Sequence, residues 1–79
     1  MTKEVASKTA REINSLKGLE LYDILEKKWI RVLSAIPIKR IPPFKNYYVS
    51  IDLEPLEKDM LINVSYDYFE KYIKTNRLG

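Results

Sequence analysis

Three of the four prolines fall within seven residues, at Pro37, Pro42 and Pro43. Proline locks φ and carries no backbone N–H. It breaks a helix interior and removes a hydrogen bond from a paired central strand. Residues 37–45, Pro-Ile-Lys-Arg-Ile-Pro-Pro-Phe-Lys, are therefore expected as an extended connection. It divides the chain into a helix-forming part before it and a strand-forming part after it.

Before the prolines, residues 3–17 have helical spacing. Val5, Ala6, Thr9, Ala10, Ile13 and Leu16 fall in one arc, Thr2 is placed to cap the start, and Gly18 fits the left-handed position that ends a helix. A second helix is expected from residue 19 or 23 to 36. Asp23 followed by Glu26 resembles a capping box, and Leu21, Ile24, Leu25, Trp29, Val32, Leu33 and Ile36 give a broad apolar face that buries Trp29. Leu19 and Ile30 lie opposite that face. Such a two-sided helix is central in its domain or buried in a homodimer. One continuous helix over 3–36 is the alternative, at a cost of about 1 kcal/mol for Gly18.

After the prolines, Tyr47, Val49, Ile51 and Leu53 alternate with Tyr48, Ser50 and Asp52, the period of a half-buried strand over 47–53. Glu54 to Asp59 turns the chain, and Met60, Ile62 and Val64 continue the alternation over 60–64, so the two strands should pair antiparallel. Ser65 caps a last helix over 66–76, with Tyr66, Phe69 and Ile73 inward. The expected fold is a single α+β domain over 1–79, order ααββα, with a two-stranded antiparallel hairpin packed on helices.

The residue inventory removes several function classes. The chain has no cysteine and no histidine, which leaves neither disulfides nor the usual nitrogen and sulfur metal ligands. Its two glycines, Gly18 and Gly79, cannot form a glycine-rich phosphate cradle. The serines have no imidazole to activate them. An enzyme, a cofactor and a transition metal are accordingly not expected. Asp52, Glu54, Glu57 and Asp59 cluster at the expected hairpin turn, but their spacing lacks the calcium-loop pattern and Lys58 sits among them, so a solvated turn is the expectation. No apolar run approaches the ~20 residues of a membrane span, and no signal-peptide block opens the chain, so a cytoplasmic protein is expected. Loss of Cys, His and Gln beside abundant Lys and Glu resembles the composition of heat-stable proteins.

One constellation points to a function. No acidic residue occurs between Glu26 and Asp52, a window that holds Lys27, Lys28, Arg31, Lys39, Arg40 and Lys45, with Trp29, Phe44, Tyr47 and Tyr48 among them. Clustered cations attract phosphate backbones by releasing counterions, and aromatic rings stack on bases. Lys27, Arg31 and Ser34 would share the outer face of the second helix, Lys28 would snorkel from its apolar arc, and Lys39, Arg40 and Lys45 would lie on the loop beside it. Tyr48 is the aromatic expected to stay free, whereas Trp29, Phe44 and Tyr47 are expected to pack. A helix-turn-helix is disfavoured, because the recognition helix would open on Glu20-Leu21-Tyr22-Asp23. The expectation is non-specific nucleic-acid binding. The alternative is a protein–protein interaction module or a small homodimeric subunit.

Overall fold

The computed structural model describes residues 1–57 and 60–74. The order of elements is α1 (Lys3–Asn14), β1 (Glu20–Asp23), β2 (Lys28–Lys39), β3 (Tyr47–Pro55), β4 (Ile62–Ser65), α2 (Tyr66–Tyr72) and a two-residue β5 (Ile73–Lys74). Strands β1 to β4 form an antiparallel meander, and β5 adds to β1, giving the sheet order β4-β3-β2-β1-β5. The expected ααββα fold with a two-stranded hairpin is thus corrected to αββββα.

Helix α1 forms but ends at Asn14, short of the expected residue 17, with Ser15 as its C-cap, and Val5 of the expected inner arc is exposed. The Thr2 hydroxyl accepts the Val5 N–H at 3.1 Å, and Ala6, Ala10 and Ile13 are buried against β2 and β3. The two alanines let the helix approach the sheet closely. Gly18 takes φ +87°, a left-handed conformation in which a side chain would be strained.

The second helix does not exist, nor does a continuous helix over 3–36. Residues 20–39 are instead a β-hairpin, in which Leu21 faces Ile30 and Tyr22 faces Trp29 across the ladder. The Asp23–Glu26 pattern belongs to its turn. One oxygen of Asp23 accepts the Leu25 and Glu26 N–H groups at 2.9 and 3.0 Å, and Lys27 takes the left-handed φ of 56°. The two-sided hydrophobicity has a plain explanation in a strand. Leu21, Ile30, Val32 and Ala35 enter the core from one face, while Trp29, Leu33 and Ile36 stay on the other. A bulge between Val32 and Ser34 shifts the register by one residue, which turns Ala35 rather than Ser34 inward.

The core lies on one face of the sheet, where Leu21, Ile30, Val49, Ile51 and Leu53 are fully buried. Phe69 and Ile73 cover it from α2 and β5. Met60, expected on that face, is exposed and precedes β4. Helix α2 carries the chain from one sheet edge to the other in seven residues. Its ~10 Å rise is about half of the ~19 Å spanned by four flat strand spacings, so the sheet must curl to bring its edges together. The Ser65 hydroxyl caps α2 by accepting the Tyr68 N–H at 3.2 Å. The helix ends at Tyr72, short of residue 76, and residues 75 and 76 lie outside the described part.

Pro37 lies inside β2, not in a connection, and β2 is central in the sheet order. The physical rule still holds, because β1 covers only Lys28 to Arg31 and the rest of that edge is open. Ala35 directs both backbone groups to the open side, where the Asn14 side chain donates to its carbonyl and accepts its N–H, each at 2.9 Å. Pro37, two residues on, shares that orientation. Its missing N–H falls where no strand requires one, and it blocks another strand from adding there.

The second oxygen of Asp23 accepts the Tyr68 hydroxyl at 2.8 Å, tying the first hairpin to α2. Burial, then the hydrogen bond to Asp23, pushes the Tyr68 phenol well above its ordinary value of 10.0. Tyr66 is also raised, by burial and then by its bond to Glu70. A raised folded-state pKa contributes stability that is complete below the unfolded value and is lost as pH climbs toward the folded one. Stability should therefore fall as pH rises above about 10, and Tyr68→Phe should flatten that decline. Denaturant titrations between pH 8 and 11 test this; an equal alkaline slope in both proteins would contradict it.

Candidate nucleic-acid interface

The acid-free window is drawn out along the long β2–β3 hairpin. β2 has 12 residues, about 40 Å of extended chain, and the molecule's longest dimension is 39 Å. Its cations therefore separate to opposite ends and share no helix face. Lys27 lies in the β1–β2 turn, and Lys28 opens β2 directly across from Asp23. Arg31 is on the outer sheet face, in register between Glu20 on β1 and Glu54 on β3. Flanked by two carboxylates, it is a poor phosphate ligand.

Lys39, Arg40, Lys45 and Tyr48 come together at the far end. Lys39 pairs with Tyr47, and the Arg40 N–H closes the ladder on the Asn46 carbonyl at 3.0 Å. Beyond it, the Phe44 N–H bonds the Ile41 carbonyl at 3.1 Å, forming a tight turn around Pro42 and Pro43, whose peptide bond is cis. The Arg40 guanidinium lies 5.1 Å from the centre of the Tyr48 ring, a cation–π contact that holds charge and aromatic surface side by side. Met1 docks along β3: its ammonium donates to the Tyr47 carbonyl at 3.1 Å and its carbonyl accepts the Tyr47 N–H at 2.7 Å.

Open hollows flank this tip. One, of about 380 Å³, runs past Met1, Arg40, Tyr47 and Tyr48 to Ser65 and Asp67; the other lies among Met1, Thr2, Phe44, Lys45 and Asn46. Asp67 is the one acid lining either hollow among the described residues.

Two aromatic expectations are corrected. Trp29 is 48% exposed, paired edge to face with Tyr22 at 5.1 Å on the outer sheet face. Helical spacing would have placed it in the core; strand alternation puts it opposite Ile30. Phe44 is 63% exposed and Ile41 80%. A loop of five residues held by two prolines is too short to fold its side chains back onto the sheet. The sequence signal for this pair was the placement of two large apolar residues inside a segment that cannot pair or coil. The homodimer patch of Leu19 and Ile30 is absent, since Ile30 is fully buried. The acids around the β3–β4 connection do not form a metal cage among the described residues; Asp52 accepts the Asn63 amide at 2.8 Å, and Asp59 lies outside them. Among the described residues no helix is long and apolar enough to cross a membrane. No protein family, characterised protein or solved structure matches the chain.

Proposed function

We propose that this is a non-enzymatic protein that binds nucleic acid, largely without sequence preference, through the tip of its β2–β3 hairpin. The observation that carries the reading is the gathering of Lys39, Arg40 and Lys45 at one end of the hairpin, with the Arg40 guanidinium 5.1 Å from the Tyr48 ring. Cations supply backbone affinity, and the Tyr48 ring supplies a contact any base sequence can accept. Lys27, Lys28 and Arg31 are not part of this site.

A second reading rests on a different surface. Trp29, Leu33 and Ile36 are exposed on the outer sheet face, beside Arg31, Asp52 and Glu54. Mixed charge suits a second copy of the chain better than a polyanion. One experiment separates the two readings. Binding to duplex DNA through about three phosphate contacts should give a log–log salt slope near −2.7, a loss of about 40-fold between 50 and 200 mM salt. The dimer reading instead gives a sedimentation mass of two chains and no salt-sensitive DNA binding. Absence of binding to DNA and RNA at low salt would overturn the proposal.

A further inference from the structure

The proposed interface does not by itself account for the two most exposed large apolar side chains among the described residues, Ile41 and Leu61, nor for Phe44 beside the first. Leu61, with the exposed Met60 beside it, precedes β4, a strand that carries no cation. Ile41 and Phe44 are different, because the bond between their backbones closes one turn and sets the two residues on either side of its Pro42–Pro43 apex. The local sequence is Arg40-Ile41-Pro42-Pro43-Phe44-Lys45. A cation stands at each root of the loop and an apolar side chain stands inside each cation. The prolines fix the backbone, so little conformational freedom remains to be lost on contact.

We infer that Ile41 and Phe44 form a wedge that enters between base steps of duplex DNA and bends it. Apolar side chains of these types unstack a base step, and the resulting bend brings more backbone against the protein. Arg40 and Lys45 are placed to neutralise phosphates on either side of the opened step. Pairing of this tip with a second copy is disfavoured on charge, since it would oppose two sets of cations, and on size. Two side chains and their loop fall well short of the ~800 Å² per partner of a stable interface. A membrane is the other surface that takes apolar residues ringed by cations. Two side chains bury less hydrocarbon than a single acyl chain, which holds only marginally.

This inference rests on the proposed nucleic-acid binding, and the test keeps the two separable. A duplex of about 30 base pairs with a central TA step, the kind most easily kinked, carries a dye at each end and 2-aminopurine at the step. The parent protein should shorten the end-to-end distance and raise 2-aminopurine emission. The double variant Ile41→Ser, Phe44→Ser should bind within a few-fold of the parent at low salt, with the same salt slope, and produce neither signal. Both side chains are exposed, so the melting temperature should not change. Binding by the parent without bending or unstacking overturns the wedge and leaves backbone binding intact. No binding overturns both. Binding to vesicles with one-third anionic lipid that depends on Ile41 and Phe44, with no bending of the duplex, also overturns the wedge.

Discussion

Replacing Asp23 with alanine should cost about 2–4 kcal/mol, enough to lower the melting temperature by roughly 10–30 °C in a chain of this size. The carboxylate is only 3% exposed and takes part in three hydrogen bonds. Two of them hold the β1–β2 turn and the third holds α2, so the side chain joins two elements far apart in sequence. Truncation strands the Tyr68 hydroxyl, which is partly buried, and removes the Asx turn that sets the hairpin's register. The loss is large because a domain of 79 residues has roughly 4–12 kcal/mol of total stability. Asp23→Asn keeps an acceptor for the turn and can receive or donate at Tyr68, so it should cost about 1 kcal/mol. Denaturant unfolding of the two variants checks the ordering. Equal and small losses would show that water replaces the carboxylate and that α2 is held by its apolar contacts alone.

Much of the periphery was legible in the residues. The Thr2 and Ser65 caps, the Ala6, Ala10 and Ile13 face of α1 and the alternation of Tyr47 to Leu53 each follow from local chemistry and are where that chemistry puts them, whereas Gly18 takes its left-handed φ in the turn after the helix, which ends earlier at Asn14. The middle of the chain was misread for a physical reason. β2 is apolar on both faces, and its bulge interrupts strict alternation at Leu33. Trp29 to Ile36 then fits helical spacing as well as strand spacing. The β-branched residues Ile30, Val32 and Ile36 favoured the strand, and the long pairing with β3 settles it. Cross-strand contacts of that kind have no signature in one strand's sequence.

The functional site shows the same division. The acid-free stretch from Lys27 to Ile51 was visible, but whether its cations converge depended on secondary structure. A helix would have wound Lys27 and Arg31 next to the loop. A strand of 12 residues carries them to the other end and sets Arg31 between Glu20 and Glu54. What survives is the part confined to the loop and its roots, where sequence proximity alone guarantees spatial proximity.

Replacing Lys39 and Arg40 with alanine should reduce the salt slope on duplex DNA from about −2.7 to about −0.9, leaving one phosphate contact at Lys45. If the two proteins' affinities converge near 1 M salt, the variant should bind on the order of 100-fold more weakly at 50 mM. The loss should be the same on unrelated sequences, because phosphate contacts carry no base information. Losing Arg40 also frees the Tyr48 ring from its cation–π contact, yet exposed charges contribute little to folding, so stability should stay within about 0.5 kcal/mol of the parent. The matching change at the opposite end of β2, Lys27→Ala with Lys28→Ala, removes the same charge from the molecule. It should leave the slope within experimental error of −2.7, since those residues sit at the β1–β2 turn, away from the tip. That comparison separates a site from a general attraction between a basic protein and a polyanion. Equal weakening by the two double variants would mean that net charge alone drives binding, and the hairpin tip would lose its claim.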